Sequence, residues 1–152
     1  MTRLTIPSLS AHDFLTPQPV KDADVFVLRA ILHDWSDKYC IQILRHLRAA
    51  AMPSTRLVII DRIMSYACTD ETLNTISGAE LVAPPAPLVA NGGSFSAVAY
   101  FVDLNMLALQ NGKERTVEEF RRLLEQTGWT LVQVIRQSSF AVNSGKLVAV
   151  PA

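Results

Sequence analysis

Cysteine is scarce in this sequence: Cys40 and Cys68 are the only two among 152 residues. Their spacing fits no metal-binding pattern and two thiols imply no disulfide framework, so a reducing, cytoplasmic setting is the expectation. An excess of charge is missing as well, because 14 Lys and Arg balance 14 Asp and Glu. Nothing builds the basic stripe that phosphate-backbone binding requires, which removes nucleic acid from the expected partners. No apolar run approaches the ~20 residues of a membrane helix, and the N-terminus shows no signal-peptide pattern, so no membrane partner is expected. Internal repeats are absent.

What is present is largely apolar. Hydrophobic residues make up 49% of the chain and the mean hydropathy is +0.22. Values at this end of the soluble range point to strands covered on both faces, or to apolar surface meant for a partner. The length suits one domain, able to bury roughly 70% of its unfolded surface.

Along the chain, Arg3–Leu9 is short, alternating and β-compatible, and it breaks at Pro17 and Pro19. Ala23–Leu32 is a nearly continuous apolar run with β-branched and aromatic content, which predicts a buried strand. Ser36 then N-caps a predicted helix, with Asp37 in its first turn and Cys40, Ile43, Leu44, Leu47 and Ala51 at helical spacing before Pro53. Arg56–Met64 carries the run Leu57–Ile60, a second buried strand, so the three elements make a βαβ unit. Between Ser65 and Ser96 periodicity disappears, and the prolines at 84, 85 and 87 predict an irregular excursion. Ala97–Gln110 is helical but apolar on more than one face, and such a helix is expected to be covered on most sides. Thr116 and Glu119 form a capping box that leads Phe120, Leu123 and Leu124 to a stop at Gly128. Thr130–Ile135 and Lys146–Val150, joined by the turn-prone Asn143-Ser144-Gly145, predict an antiparallel pair. The fold class expected is therefore α/β, parallel first and antiparallel at the end.

The densest polar cluster, His33-Asp34-Trp35-Ser36-Asp37, follows the first strand. Catalytic groups of open α/β sheets gather at carboxyl ends of strands, although the residue types alone leave a structural histidine and two helix-start acids open. The run from Leu28 to Asp37 closely resembles the signature of the caffeic-acid-type O-methyltransferases of plants and fungi. Further matches follow in order: Ala11-His12-Asp13-Phe14, Val58-Ile59-Ile60-Asp61 and Gly112-Lys113-Glu114-Arg115-Thr116. The proline-rich stretch before Ala97 looks most like the fungal branch, and the resemblance covers essentially the whole chain.

That resemblance implies methyl transfer from S-adenosylmethionine to a hydroxyl of a small aromatic or phenolic acceptor, without a metal. It makes His33 the general base and Asp61 and Glu114 the acids that orient it. A phenol has a pKa near that of tyrosine, about 10, and an imidazole near 6.5 can take its proton while staying largely neutral beforehand. Position 61 is Asp where many plant members carry Glu, so its arm is shorter. Asp13 and Phe14 match the pair that contacts the adenine ring, Arg29 matches a basic residue bordering the cofactor, and Asn105 and Met106 match positions lining the acceptor pocket.

The resemblance also implies that residues 1–152 are a partial catalytic domain, the C-terminal half of a class I (Rossmann-like) methyltransferase sheet. In the family's strand order 3-2-1-4-5-7-6, the chain would supply strands 4, 5, 7 and 6, with strand 3 near the N-terminus. No D-x-G-G-G-x-G loop, ribose-binding acid or N-terminal dimerisation domain occurs. Strand 4 would then be an apolar edge, and homo-oligomerisation through it, or pairing of Arg3–Leu9 beside it, is expected. The alternative is a catalytically silent relic or interaction module of the same fold. A cyclisation steered by the same scaffold is a third reading.

Overall fold

A computed structural model describes residues 10–66, 76–79, 87, 93, 97–136 and 144–152. The chain enters strand β1 (Val25–Arg29), makes a single 3-10 turn at Leu32–Asp34, and continues into helix α1 (Asp37–Ala50) and strand β2 (Arg56–Arg62). Helices α2 (Ala97–Gln110) and α3 (Val117–Glu125) follow, and strands β3 (Trp129–Arg136) and β4 (Ser144–Pro151) close the chain. One sheet runs β1-β2-β4-β3. The β1–β2 pair is parallel, Phe26 opposite Leu57, and the remaining pairs are antiparallel. This is the 4-5-7-6 half of the expected sheet, in the expected order.

The core lies where α1 and α3 cover the sheet. α1 buries Cys40, Ile43, Leu44, Leu47 and Ala50, one stripe of an otherwise polar helix. Ala50 closes that stripe where Ala51 was expected. Ser36 takes the N-cap backbone position, but its side chain makes no capping hydrogen bond. In α3 the capping box is complete: Glu119 N–H donates to Thr116 Oγ1, and Thr116 N–H donates to a Glu119 carboxylate oxygen. Val117, Phe120, Leu123 and Leu124 are buried behind it, each such side chain contributing roughly 1.5–3 kcal/mol. The chain turns after α3 at Gly128 with φ +80°, a conformation glycine adopts without Cβ strain. Trp129 is fully buried beside it, its indole N–H donating to the Leu44 carbonyl.

Two expectations from the sequence differ. The run Ala23–Leu32 is not one buried strand. It pairs only from Val25 to Arg29, because Ala30 takes φ +52° and turns the chain out of the sheet, and Leu32 already belongs to the 3-10 turn. Among the described residues β1 is a sheet edge, with Phe26 buried but Val25 and Val27 47% and 59% exposed. Likewise α2 buries only Ala99 and leaves Phe101, Leu104 and Leu107 exposed, so its apolar circumference is not covered by described residues. Residues 3–9 and most of 65–96 lie outside the described residues. Of that stretch, Ile76 and Ala79 are buried, and Ser77 bridges to Gln133 on β3. No helix among the described residues is long and apolar enough to cross a membrane.

Candidate active site

His33 sits in the 3-10 turn just beyond β1, carried there by the reversal at Ala30. β2 ends alongside, and Asp61, its penultimate residue, points a buried carboxylate at the turn. The loop between α2 and α3 brings Glu114 from the other side, also buried. The His33 Nδ1–H donates to Glu114 Oε1 at 3.1 Å, while Asp61 Oδ1 lies 3.6 Å from the same nitrogen. Asp61 Oδ2 instead accepts the backbone N–H of His33 at 3.3 Å. The shorter Asp arm therefore holds the main chain of the turn, and Glu114 holds the ring. A carboxylate only accepts, so Nδ1 carries the hydrogen in the neutral imidazole and the lone pair resides on Nε2.

Three residues that the sequence did not single out for this centre take part in it. Asp34 Oδ1 lies 3.4 Å from His33 Nε2. Arg62 Nε lies 3.5 Å from Glu114 Oε1. Asp103 of α2 accepts the Glu114 backbone N–H at 2.7 Å. Asp103 was detectable, since it is the one charged residue in the apolar sequence of α2. The second oxygen of Glu114, Oε2, is buried without a hydrogen-bond partner. Compensation of that buried charge thus comes through Oε1, from His33 and Arg62.

These contacts set the protonation of the centre. The hydrogen bond to Glu114 raises the His33 pKa above its ordinary 6.5; partial burial opposes it, and the charges of Asp61, Glu114 and Asp34 reinforce it. Asp61 is raised above the usual carboxylate value, chiefly by burial, with the His33 charge pulling the other way. The cluster therefore favours a proton on itself, and an imidazolium formed here is held by three acids. The donor atoms of His33, Asp61 and Glu114 also lie within 4.8 Å of one another, close enough to share a metal ion. Glu114 Oε1 and His33 Nδ1 already satisfy each other, so a metal there would displace an existing hydrogen bond.

The remaining predicted residues lie around this centre rather than in it. Asp13 is exposed and makes a turn, its Oδ1 accepting the Leu15 N–H at 2.9 Å. Phe14 packs edge-to-face on Trp35, ring centroids 5.8 Å apart, so it touches the His33–Asp37 segment. Arg29 is exposed at the end of β1. Asn105 and Met106 are half-buried on α2, and the Met106 carbonyl accepts the Gly112 N–H. A hollow of about 320 Å³ opens beside Asp34, lined also by Trp35, Tyr39, Leu109 and Asn111.

The sequence profile of the O-methyltransferase domain family matches residues 8–130. An O-methyltransferase of Armillaria gallica is 46% identical over 147 residues, 94% of this chain and 31% of that protein. A 4-O-methyltransferase of Phanerochaete chrysosporium is 45% identical over 147 residues, 95% of this chain and 31% of its own length. Among solved structures, CalO1, a methyltransferase of calicheamicin biosynthesis in its SAH-bound form, superposes with a TM-score of 0.64 at 28% identity, over 99% of this chain and 38% of that one. The chain spans about a third of the length of the curated relatives it matches. Both the sheet order and most of the sequence agree with one assignment, and the chain belongs to the O-methyltransferase domain family.

Proposed function

We propose that these residues form the acid–base part of an O-methyltransferase acting on a hydroxyl of a small aromatic or phenolic molecule, with His33 as general base. The observation that carries this reading is the holding of His33 at Nδ1, which Glu114 engages and Asp61 flanks, with the Asp34 carboxylate 3.4 Å from Nε2. That arrangement fixes the tautomer in which Nε2 accepts a proton. The acceptor O–H gives its proton to Nε2 as the oxygen attacks, and the resulting imidazolium is stabilised by Glu114, Asp61 and Asp34. S-adenosylmethionine, when bound, supplies the methyl group as a sulfonium. Asp13 and Phe14 would hold its adenine, with Arg29 at its border. The glycine-rich loop that holds its amino-acid end in the family has no counterpart in this sequence. Asn105 and Met106 would face the acceptor from α2. No step requires a metal.

The test is a chimera in which these 152 residues replace the corresponding third of the Armillaria gallica relative, assayed with labelled S-adenosylmethionine against a phenol panel. Methyl transfer is expected, and His33→Ala should lower kcat by about 10²–10⁴, the usual contribution of general-base catalysis. Unchanged turnover in that variant would remove the base assignment. A chimera that binds S-adenosylmethionine yet methylates nothing would favour the silent-module reading.

A further inference from the structure

Arg115 is 1% exposed, an unusual place for an arginine, and its guanidinium is committed to the segment that carries His33. Nη1 donates to the Leu32 carbonyl at 2.6 Å, and Nη2 donates to the Trp35 carbonyl at 2.9 Å. These two carbonyls bracket His33 and Asp34. Nε and Nη2 also donate to Asp37 Oδ1, at 3.2 and 2.7 Å, which neutralises the buried charge. The same two carbonyls receive the Cys40 thiol, 3.3 Å from each. The Trp35 N–H also reaches the Leu32 carbonyl, at 3.3 Å, and a thiol is a weak donor, so Arg115 supplies the shortest hydrogen bond to each of the two carbonyls.

Its neighbours act on the same turn by other means. The Lys113 N–H donates to the His33 carbonyl at 3.0 Å. A Cβ on Gly112 would overlap that carbonyl oxygen, so only glycine allows the loop to lie this close. Glu114 holds the ring itself. Four consecutive residues thus fix the turn by close approach, by a backbone hydrogen bond, by the ring hydrogen bond and by a buried fork.

We propose that Arg115 is a positioning residue for His33: it clamps the Leu32 and Trp35 carbonyls so that the imidazole meets Glu114. This rests on the reading of His33 as general base. Its physical reason is that Leu32 and Trp35 lie past the β1–β2 ladder, which ends at Arg29, so their carbonyls take donors from elsewhere. A planar fork spans two acceptors at fixed separation, whereas a lysine ammonium offers a point charge on a flexible stem. Burial excludes a direct role on substrate or cofactor.

The experiment titrates His33 in the 152-residue chain by long-range proton–nitrogen NMR, which reports both the ring pKa and the Nδ1–H bond. In Arg115→Lys, the expected result is loss of the Nδ1–H signal and a His33 titration lower by about half a pH unit or more, because the Glu114 hydrogen bond is what raises it. The fold is followed by thermal unfolding in parallel. A merely structural arginine would lower the unfolding temperature and leave the His33 titration where it is; that outcome overturns the proposal. Should Arg115→Lys not fold, Asp37→Ala loosens the same guanidinium from a half-exposed position, and it should move the titration in the same direction by less. An unmoved titration there overturns the proposal equally. The two readings fail separately. A moved titration in Arg115→Lys with full turnover in the His33→Ala chimera defeats the base assignment alone. An unmoved titration with lost turnover defeats the clamp alone.

Discussion

Helices α1 and α2 have the same length, 14 residues, and opposite relations to the molecule. α1 buries five residues in one stripe and turns polar side chains to solvent. α2 buries only Ala99 among the described residues, and its phenylalanine and leucines are exposed, as are Val25 and Val27 of β1. The difference separates a finished half, in which α1, α3 and the β2-β4-β3 strands close on one another, from an unfinished surface made by α2 and β1. His33 lies on the seam. Its backbone N–H and Nδ1 are held by Asp61 and Glu114, and the neighbouring Leu32 carbonyl by Arg115, while Asp103 ties α2 to the Glu114 backbone. The His33–Asp61–Glu114 geometry is therefore built by packing that is complete among the described residues, and the surfaces proposed to receive ligand are those left open.

The sharpest test of the finished half is Trp129→Ala. This side chain is wholly buried between β3 and α1, its indole N–H bonded to Leu44 and the Arg48 guanidinium 5.9 Å from its ring centroid. Truncation should cost about 3–5 kcal/mol in urea unfolding, the range for large aromatic deletions in a packed core. A cost near zero would mean that this half is not a cooperative core, and the comparison would lose its basis.

The open side makes a different prediction, about ligand. Calorimetric titration of the chain with S-adenosylmethionine should give millimolar affinity or none. Asp13, Phe14 and Arg29 are proposed to serve the adenine end, and the 152 residues contain no D-x-G-G-G-x-G run to hold the amino-acid end. Several polar anchors lost at about 1–3 kcal/mol each turn micromolar binding into millimolar. Micromolar affinity would show that the surface around β1 is already a complete site.

The same seam divides what the sequence could reveal. Apolar spacing located α1, the capping box located α3, and the β-branched runs located β3 and β4, because each signal is local; Ser144 and Gly145, read as turn residues, are instead paired in β4. The His33, Asp61 and Glu114 positions were legible through motifs on three successive elements. Arg115 was not read as part of the site although it adjoins Glu114: arginines are rarely buried, and nothing local shows that two carbonyls 80 residues away need donors. Arg62 was invisible for a like reason, as its distance to Glu114 depends on how β2 and the loop before α3 meet, whereas Asp34 stood in the motif but read as a helix-start acid. The exposure of β1 also ran against its composition, since a Val-rich run reads as buried whether or not its neighbours are at hand.

A smaller effect should appear in the pH dependence of stability. His33 has a raised pKa in the folded state, so the native chain holds its proton more tightly than the unfolded chain. Its contribution is fully present below 6.5 and is lost as pH rises through the raised folded value. The acids with depressed values, Asp37, Glu118 and Glu119, act at lower pH, and the buried Cys40 thiol, pushed up to about 11, acts at higher pH. Stability should thus decline as pH rises above 6.5 through the raised His33 value, and His33→Asn should flatten that decline. Solvent screening of a partly exposed ring keeps the effect below about 1 kcal/mol. A slope of opposite sign would mean that burial outweighs Glu114 at His33.

The smallest expected effect is the counterpart of the first. Phe101 is a large aromatic residue like Trp129, yet it is 65% exposed on α2. If α2 stands free in solution, Phe101→Ala removes no packed contact and creates no cavity, so unfolding should shift by no more than about 0.5 kcal/mol. Alanine even favours the helix slightly over phenylalanine. The comparison breaks if Phe101→Ala costs several kcal/mol and the cost grows with protein concentration. Only association in the native state links stability to concentration, and sedimentation would then show a second copy covering the α2 face. A cost that is small and independent of concentration, beside a Trp129→Ala cost about tenfold larger, establishes that residue type decides little here. What decides is whether the facing element is present, and for α2 none of the described residues provides it.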